Sequence, residues 1–96
     1  MAIQSFADVA TKNFFNTGKV TKVGWSNIKN VVIRKLDMLH YAHKLSDLKA
    51  PPQNKLELLK GDLAGFHSIR INNQWRIIFK WTESGPAEVK IIDYHK

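Results

Sequence analysis

The sequence predicts an α+β fold in which two helices are followed by a mostly antiparallel sheet and cover one of its faces. Three observations carry this. Apolar residues recur at three- and four-residue spacing in the first half, a double proline breaks the chain at 50–54, and beyond it the apolar period becomes two. With 96 residues, 44% hydrophobic and 24% charged, the chain has material for one core and is too apolar to stay disordered. A single domain spanning 1–96 is therefore expected.

Residues 3–6 are a candidate for a short first strand. Asp8 can cap a helix that carries Val9, Phe14 and Phe15 and ends before Gly18. Residues 17–24 read as a basic loop. Ser26 is a second N-cap candidate, and Ile28, Val32, Leu36 and Leu39 line one face of a helix that runs to about residue 43, with Lys29, Arg34, Asp37 and His40 opposite. The stretch Ala50-Pro51-Pro52-Gln53-Asn54 reads as a surface loop within the domain, because consecutive prolines remove backbone donors and disfavour helix. Residues 66–71, 75–81 and 88–94 then read as three strands, joined by a tight turn at Asn72-Asn73 and a loop at 82–86, and residues 56–59 can supply another.

Alternation sorts the strand side chains. His67, Ile69, Ile71, Trp75, Ile77, Phe79, Trp81, Val89 and Ile91 fall on the face the helices bury. Ser68, Arg70, Arg76, Ile78, Lys80, Lys90, Ile92 and Tyr94 fall on the other, where several cations and a phenol suit the floor of an RNA-binding groove.

Charge points the same way. Fifteen Lys and Arg against eight Asp and Glu give a net charge of +7, which favours a polyanionic partner. The charge is spread along the chain, with no basic tail. Absence of cysteine excludes disulfides, thiolate metal sites, iron–sulfur clusters and cysteine nucleophiles, and fits a cytoplasmic protein. The first 15 residues lack the basic and apolar regions of a secretion signal, and no stretch approaches the roughly 18 apolar residues of a membrane span, so neither secretion nor membrane insertion is expected.

Candidate chemistry is sparse. His40-x-x-His43 has a spacing that can bind a metal, but no third ligand lies nearby, and two surface histidines are the expectation. Trp75, Phe79 and Trp81 could stack bases beside Arg76 and Lys80, yet alternation sends the aromatic and basic side chains to opposite faces and makes the aromatics core. Leu59-Lys60-Gly61-Asp62 and Gly65 match neither a phosphate loop nor a dinucleotide fingerprint. Arg70 and Arg76 share a face, as solvated strand residues or as a phosphate clamp. Asp93-Tyr94-His95 brings a phenol and an imidazole together at the end of the sequence, either as a frayed terminus or as catalytic groups.

The stretch Asn54-Lys55-Leu56-Glu57-Leu58-Leu59-Lys60-Gly61-Asp62, with Gly65, Ser68-Ile69-Arg70-Ile71-Asn72, Gln74-Trp75-Arg76-Ile77, Phe79 and Ile92-Asp93-Tyr94-His95, resembles the HigB toxins of the RelE/ParE superfamily. Residues 53–95 carry the specific pattern, and residues 1–52 agree in length, helix order and the Ser5-Phe6 opening. The resemblance implies two helices on a curved, mainly antiparallel sheet, and a toxin of a bacterial type II toxin–antitoxin pair that cuts mRNA in the ribosomal A site. It further implies a metal-independent reaction in which the ribose 2′-hydroxyl attacks the adjacent phosphate, leaving a cyclic phosphate and a 5′-hydroxyl. By that resemblance Lys60 and Arg76 stabilise charge, Tyr94 or His95 acts as acid or orients the RNA, and Arg70 holds the backbone. Lys80 and Lys90, which alternation puts on the same face, are expected as further RNA contacts. Glu57 stands where some relatives have a histidine, which leaves the general base to Glu57 or to the ribosome and substrate. Implied partners are the ribosome, mRNA and a HigA-like helix-turn-helix antitoxin that meets operator DNA, with no cofactor. Two other functions compete: a ParE-like toxin that binds gyrase without catalysis, and a basic module that binds RNA without cutting it.

Overall fold

The structure, a computed structural model, describes residues 2–94. Helix α1 spans Val9–Thr17 and α2 spans Lys29–Tyr41. Four strands follow: β1 Glu57–Leu58, β2 His67–Arg70, β3 Trp75–Thr82 and β4 Gly85–Asp93. They form one antiparallel sheet in the order β1-β2-β3-β4. The expected α+β class is the one observed.

Local chemistry explains the helix ends. Asp8 is extended, and its Oδ1 accepts the Thr11 N–H at 2.7 Å. Gly18 closes α1 in the left-handed region at φ 75°, where its N–H reaches the Phe14 carbonyl. The expected cap at Ser26 is not made. A 3-10 turn, Ser26–Ile28, satisfies the first donors with backbone carbonyls of Val23 and Trp25 instead, and α2 begins only at Lys29. At its other end α2 stops at Tyr41, because Ala42 is already extended at ψ 134°.

The core lies between the helices and the face that alternation selects. Phe14 and Trp25 meet edge to face at 5.1 Å, and Val32, Leu36 and Leu39 pack with Ile69, Ile77, Phe79, Val89 and Ile91. Trp75 and Trp81 pack against this cluster, so the aromatic residues are core, as their alternation predicts. His67 stacks on Phe79 at 6.1 Å, and burial lowers its pKa below 6.5.

Two features of β4 depart from the expected pattern. The strand begins at Gly85, because only Glu83 and Ser84 form the turn, and Thr82 Oγ accepts the Ser84 N–H while donating to the Gly85 carbonyl. Between the Ile78–Lys90 and Lys80–Ala87 pairs β4 carries one extra residue, and Glu88 there has φ 52°. Residues 4–7 lie along the outer edge of this bulge. The Gln4 N–H donates to the Pro86 carbonyl, Val89 N–H to Ser5, and Ala7 N–H to Val89, with Phe6 bridging Val89 in parallel. The expected first strand is thus a single bridge rather than a full element.

The loop at 50–54 is less superficial than its composition suggests. Asn54 is fully buried, and its amide donates to the carbonyls of Leu48 and Ala50. His40 also departs from the surface reading: it is half-buried beside Phe15, and its Nδ1 accepts the Ile3 N–H.

Candidate functional site

The face turned away from the helices holds the predicted cations. Arg70 and Arg76 are direct partners in the β2–β3 ladder, so their side chains leave the same face side by side. The Asn72 side chain shapes the turn between the two strands by accepting the backbone N–H groups of Gln74 and Trp75. Asn73 accepts from Arg70 Nη2. Lys55, Arg70, Asn72, Asn73, Arg76 and Tyr94 together line a hollow of about 250 Å³.

Arg76 is the best-fixed member. It is only 8% exposed, which excludes the solvated strand residue among its two expected readings, and the reason is its partners. Its Nη1 donates to Ser68 Oγ at 2.9 Å and to the Lys55 carbonyl at 3.5 Å, and lies 3.1 Å from Glu57 Oε1. The Glu57 contact is an ion pair off the line of a hydrogen bond. Its guanidinium carbon sits 5.0 Å from the centre of the Tyr94 ring. All three oxygen contacts use Nη1, which leaves three N–H donors of the fork outside that set.

Short-range geometry explains how these residues meet. Glu57 pairs with Ser68 across β1–β2, and Ser68 pairs with Ile78 on β3, one row from Arg76. Lys55 has φ 45°, so the chain turns sharply into β1 and directs its carbonyl at Arg76. Tyr94 follows β4, and its N–H donates to the Gln74 carbonyl at 2.6 Å, which ties the residue to the start of β3.

The other expected residues fare differently. Lys60 is exposed, follows the buried Leu59 and precedes the 3-10 turn Gly61–Leu63; it does not line the hollow. Extended pairing continues through Leu59, whose N–H donates to Phe66, so Glu57 and Lys60 leave the strand toward opposite faces. Lys80 shares the Arg76 face but lies four residues along β3, roughly 13 Å away. Its ammonium meets Glu88 at 3.1 Å and the Phe66 ring at 5.0 Å, so the bulge supplies it with a partner carboxylate. Lys90 is exposed beside Ile78. His95 lies outside the described residues.

A larger hollow, about 380 Å³, opens between the 3-10 turn Leu45–Lys49 and the edge of β1. It is lined by Leu45, Leu56 and Leu58 with Ser46, Lys49, His67 and Glu57, so Glu57 borders this hollow and meets the smaller one only through its ion pair with Arg76, and a lining so apolar offers an anion little. The smaller hollow holds the cations and is the candidate site.

Sequence reasoning gave no role to two cations, one in the lining and one outside it. Lys55 lines the hollow, and Lys35 of α2 reaches Asn54 at 2.6 Å. Lys35 immediately precedes Leu36 at the edge of the apolar stripe, a flank position from which a lysine stem can cover the core and still present its charge.

Residues 4–95 match the HigB-like toxin family, described as the RelE-like toxin of type II toxin–antitoxin system HigB. The chain belongs to that family. Toxin HigB-1 of Vibrio cholerae serotype O1 is 41% identical over 96 residues, which is all of this chain and 99% of the relative. The fold is shared with the YoeB/ParE toxin from Agrobacterium tumefaciens, at a TM-score of 0.56 and 22% identity over 99% of this chain and 100% of that one. It is shared equally with the YoeB-YefM complex from Staphylococcus aureus, at a TM-score of 0.56 and 16% identity, with both chains covered in full. The protein is a HigB-like toxin of a type II toxin–antitoxin system with a RelE-family fold.

Proposed function

We propose that this HigB-like toxin is an endoribonuclease that cuts mRNA on the ribosome, at the hollow between the β2–β3 turn and Tyr94. The observation that carries the reading is the Arg70–Arg76 pair: two guanidinium groups leave adjacent strands on one face, and one of them is held by three oxygens against a tyrosine ring. Cleavage by the neighbouring 2′-hydroxyl builds negative charge on the phosphoryl oxygens, and a preorganised guanidinium stabilises that charge without reorganising during the reaction. Arg76 has this role and Arg70 holds the RNA backbone.

Glu57 is the group nearest Arg76 able to take the 2′-hydroxyl proton, and Tyr94 or His95 returns a proton to the leaving 5′-oxygen. The Tyr94 ring lies against the Arg76 guanidinium, whose carbon is 5.0 Å from the ring centre, so the phenol and the cation border the same hollow. Lys60, outside the hollow, contacts RNA or the ribosome rather than the scissile phosphate, and Lys80 and Lys90 extend the cationic face.

The chain works as one toxin domain in the cytoplasm, neutralised by a HigA-like antitoxin that carries the operator-binding function. An antitoxin partner is supported by the family and by the YoeB-YefM assembly of the S. aureus relative. No helix among the described residues is long and apolar enough to cross a membrane.

Translation of a defined mRNA followed by mapping of 5′ ends, with and without the protein, tests the reading. New 5′ ends at A-site codons are expected. Intact mRNA with inhibited DNA supercoiling would establish the gyrase alternative, and RNA binding without new ends would establish the passive module.

A further inference from the structure

We propose that Lys35, with Arg34 beside it on α2, forms a second phosphate subsite that continues the RNA track from the Arg70–Arg76 hollow onto the helix. The inference deepens the RNA-cleaving reading and rests on it. Lys35 Nζ donates to Asn54 Oδ1 at 2.6 Å. Asn54 is fully buried and anchored through its amide to Leu48 and Ala50, so it holds the ammonium in one place. The next residue, Lys55, lines the hollow together with Arg70. Lys35 is therefore joined to the rim of the candidate site by a rigid, buried link.

The cluster is electrostatically incomplete. Among the described residues two ion pairs form, Arg76–Glu57 and Lys80–Glu88, and neither includes Arg34, Lys35, Lys55 or Arg70. Burial, followed by the nearby charges of Arg34 and Arg70, lowers the pKa of Lys35 below 10.5, so these cations sit close enough to repel one another. An anion between them relieves that repulsion. A lysine serving only to tether Asn54 has no need of further cations around it, whereas a polynucleotide brings successive phosphates. Lys35 uses one of its three N–H donors on Asn54 and keeps two for a phosphate oxygen.

The test uses a single-stranded RNA oligonucleotide made uncleavable by a 2′-deoxy substitution, without ribosomes, with affinity measured against salt concentration. Lys35→Met and Arg34→Gln are each expected to weaken binding several-fold at low salt and to reduce the slope of log affinity against log salt by about 0.7, the value of one lost phosphate contact on a single strand. Lys35→Arg keeps the charge and is expected to retain the slope. Arg34 is exposed, so its variant reports on charge even if Lys35→Met fails to fold. On programmed ribosomes the loss should appear as a raised KM. Wild-type slopes in both neutral variants would overturn the subsite. Altered slopes with uncut mRNA on ribosomes would keep the subsite and sink the nuclease reading, while normal cleavage with unaltered slopes would do the reverse.

Discussion

Arg76 occupies a position where the proposed catalytic role and the demands of the fold meet. Alternation places it correctly on the face away from the helices, but its near-complete burial arises from Glu57, Ser68 and the Lys55 carbonyl, the last brought in by the sharp turn at Lys55. Arg76→Ala should therefore cost about 1–3 kcal/mol by leaving buried polar groups unpaired, a Tm loss of roughly 5–15 °C. It should also slow cleavage by about two orders of magnitude or more. Melting curves and single-turnover cleavage below the variant's Tm separate the effects, and a folded variant with wild-type cleavage would remove Arg76 from the proposed mechanism. His67 supplies a pH test of the fold. Its lowered folded pKa means that the unfolded chain binds a proton at higher pH, so its contribution is lost as pH falls through 6.5 toward the folded value. His67→Leu is expected to show a smaller Tm drop than wild type between about pH 7 and about 5.5. An equal drop would mean that the imidazole stays as protonated in the fold as outside it.

At the scale of elements, the sequence reveals what repeats and hides what happens once. Period-two alternation in 66–94 and the Ile28, Val32, Leu36 and Leu39 stripe identify the sheet, α2 and the core face, because burial on one side imposes a period on many residues together. The bulge at Glu88, the 3-10 entry to α2 and the buried Asn54 have no periodic signature; the first has a partner distant in sequence in Ser5 Oγ, which accepts the Glu88 N–H, and the last in Lys35. The close approach of residues 18–24 to β3 is of the same kind. A Cβ on Gly24 would lie 2.5 and 2.6 Å from ring carbons of Trp75, so glycine is required there by contact rather than by backbone angle. Gly24→Ala should displace that loop or the indole and cost about 1–3 kcal/mol. Trp fluorescence and thermal melting would report it, and an unchanged Tm would mean that the loop moves aside freely.

For the whole molecule, composition favours a class of partner but not a place where it would act. A net charge of +7 on 96 residues favours a polyanion, yet the hollow emerges only when Lys55, Arg70, Asn72, Asn73, Arg76 and Tyr94 are brought together by the sheet. Identification of Glu57 depended on resemblance, because a lone carboxylate carries no spacing of its own, whereas Tyr94 was legible as the phenol that alternation puts on the cationic face. The assembled site is rich in positive charge and poor in proton-transfer groups: Glu57 is the carboxylate at Arg76, and it is already engaged there. On the proposed reading such a site would stabilise the transition state but has little with which to orient a flexible RNA for in-line attack, a contribution that elsewhere reaches about 7–11 kcal/mol. The A site, which holds a codon in a fixed conformation, can supply it. Cleavage should accordingly be fast on translating ribosomes and slower by several orders of magnitude on the same RNA free in solution. The cationic lining disfavours a divalent ion at the scissile phosphate, so addition of a chelator to ribosomes stabilised by polyamines should leave the rate unchanged. Rapid cutting of free RNA that stops on removal of a metal alone would contradict both expectations and transfer the catalytic burden to groups outside this hollow.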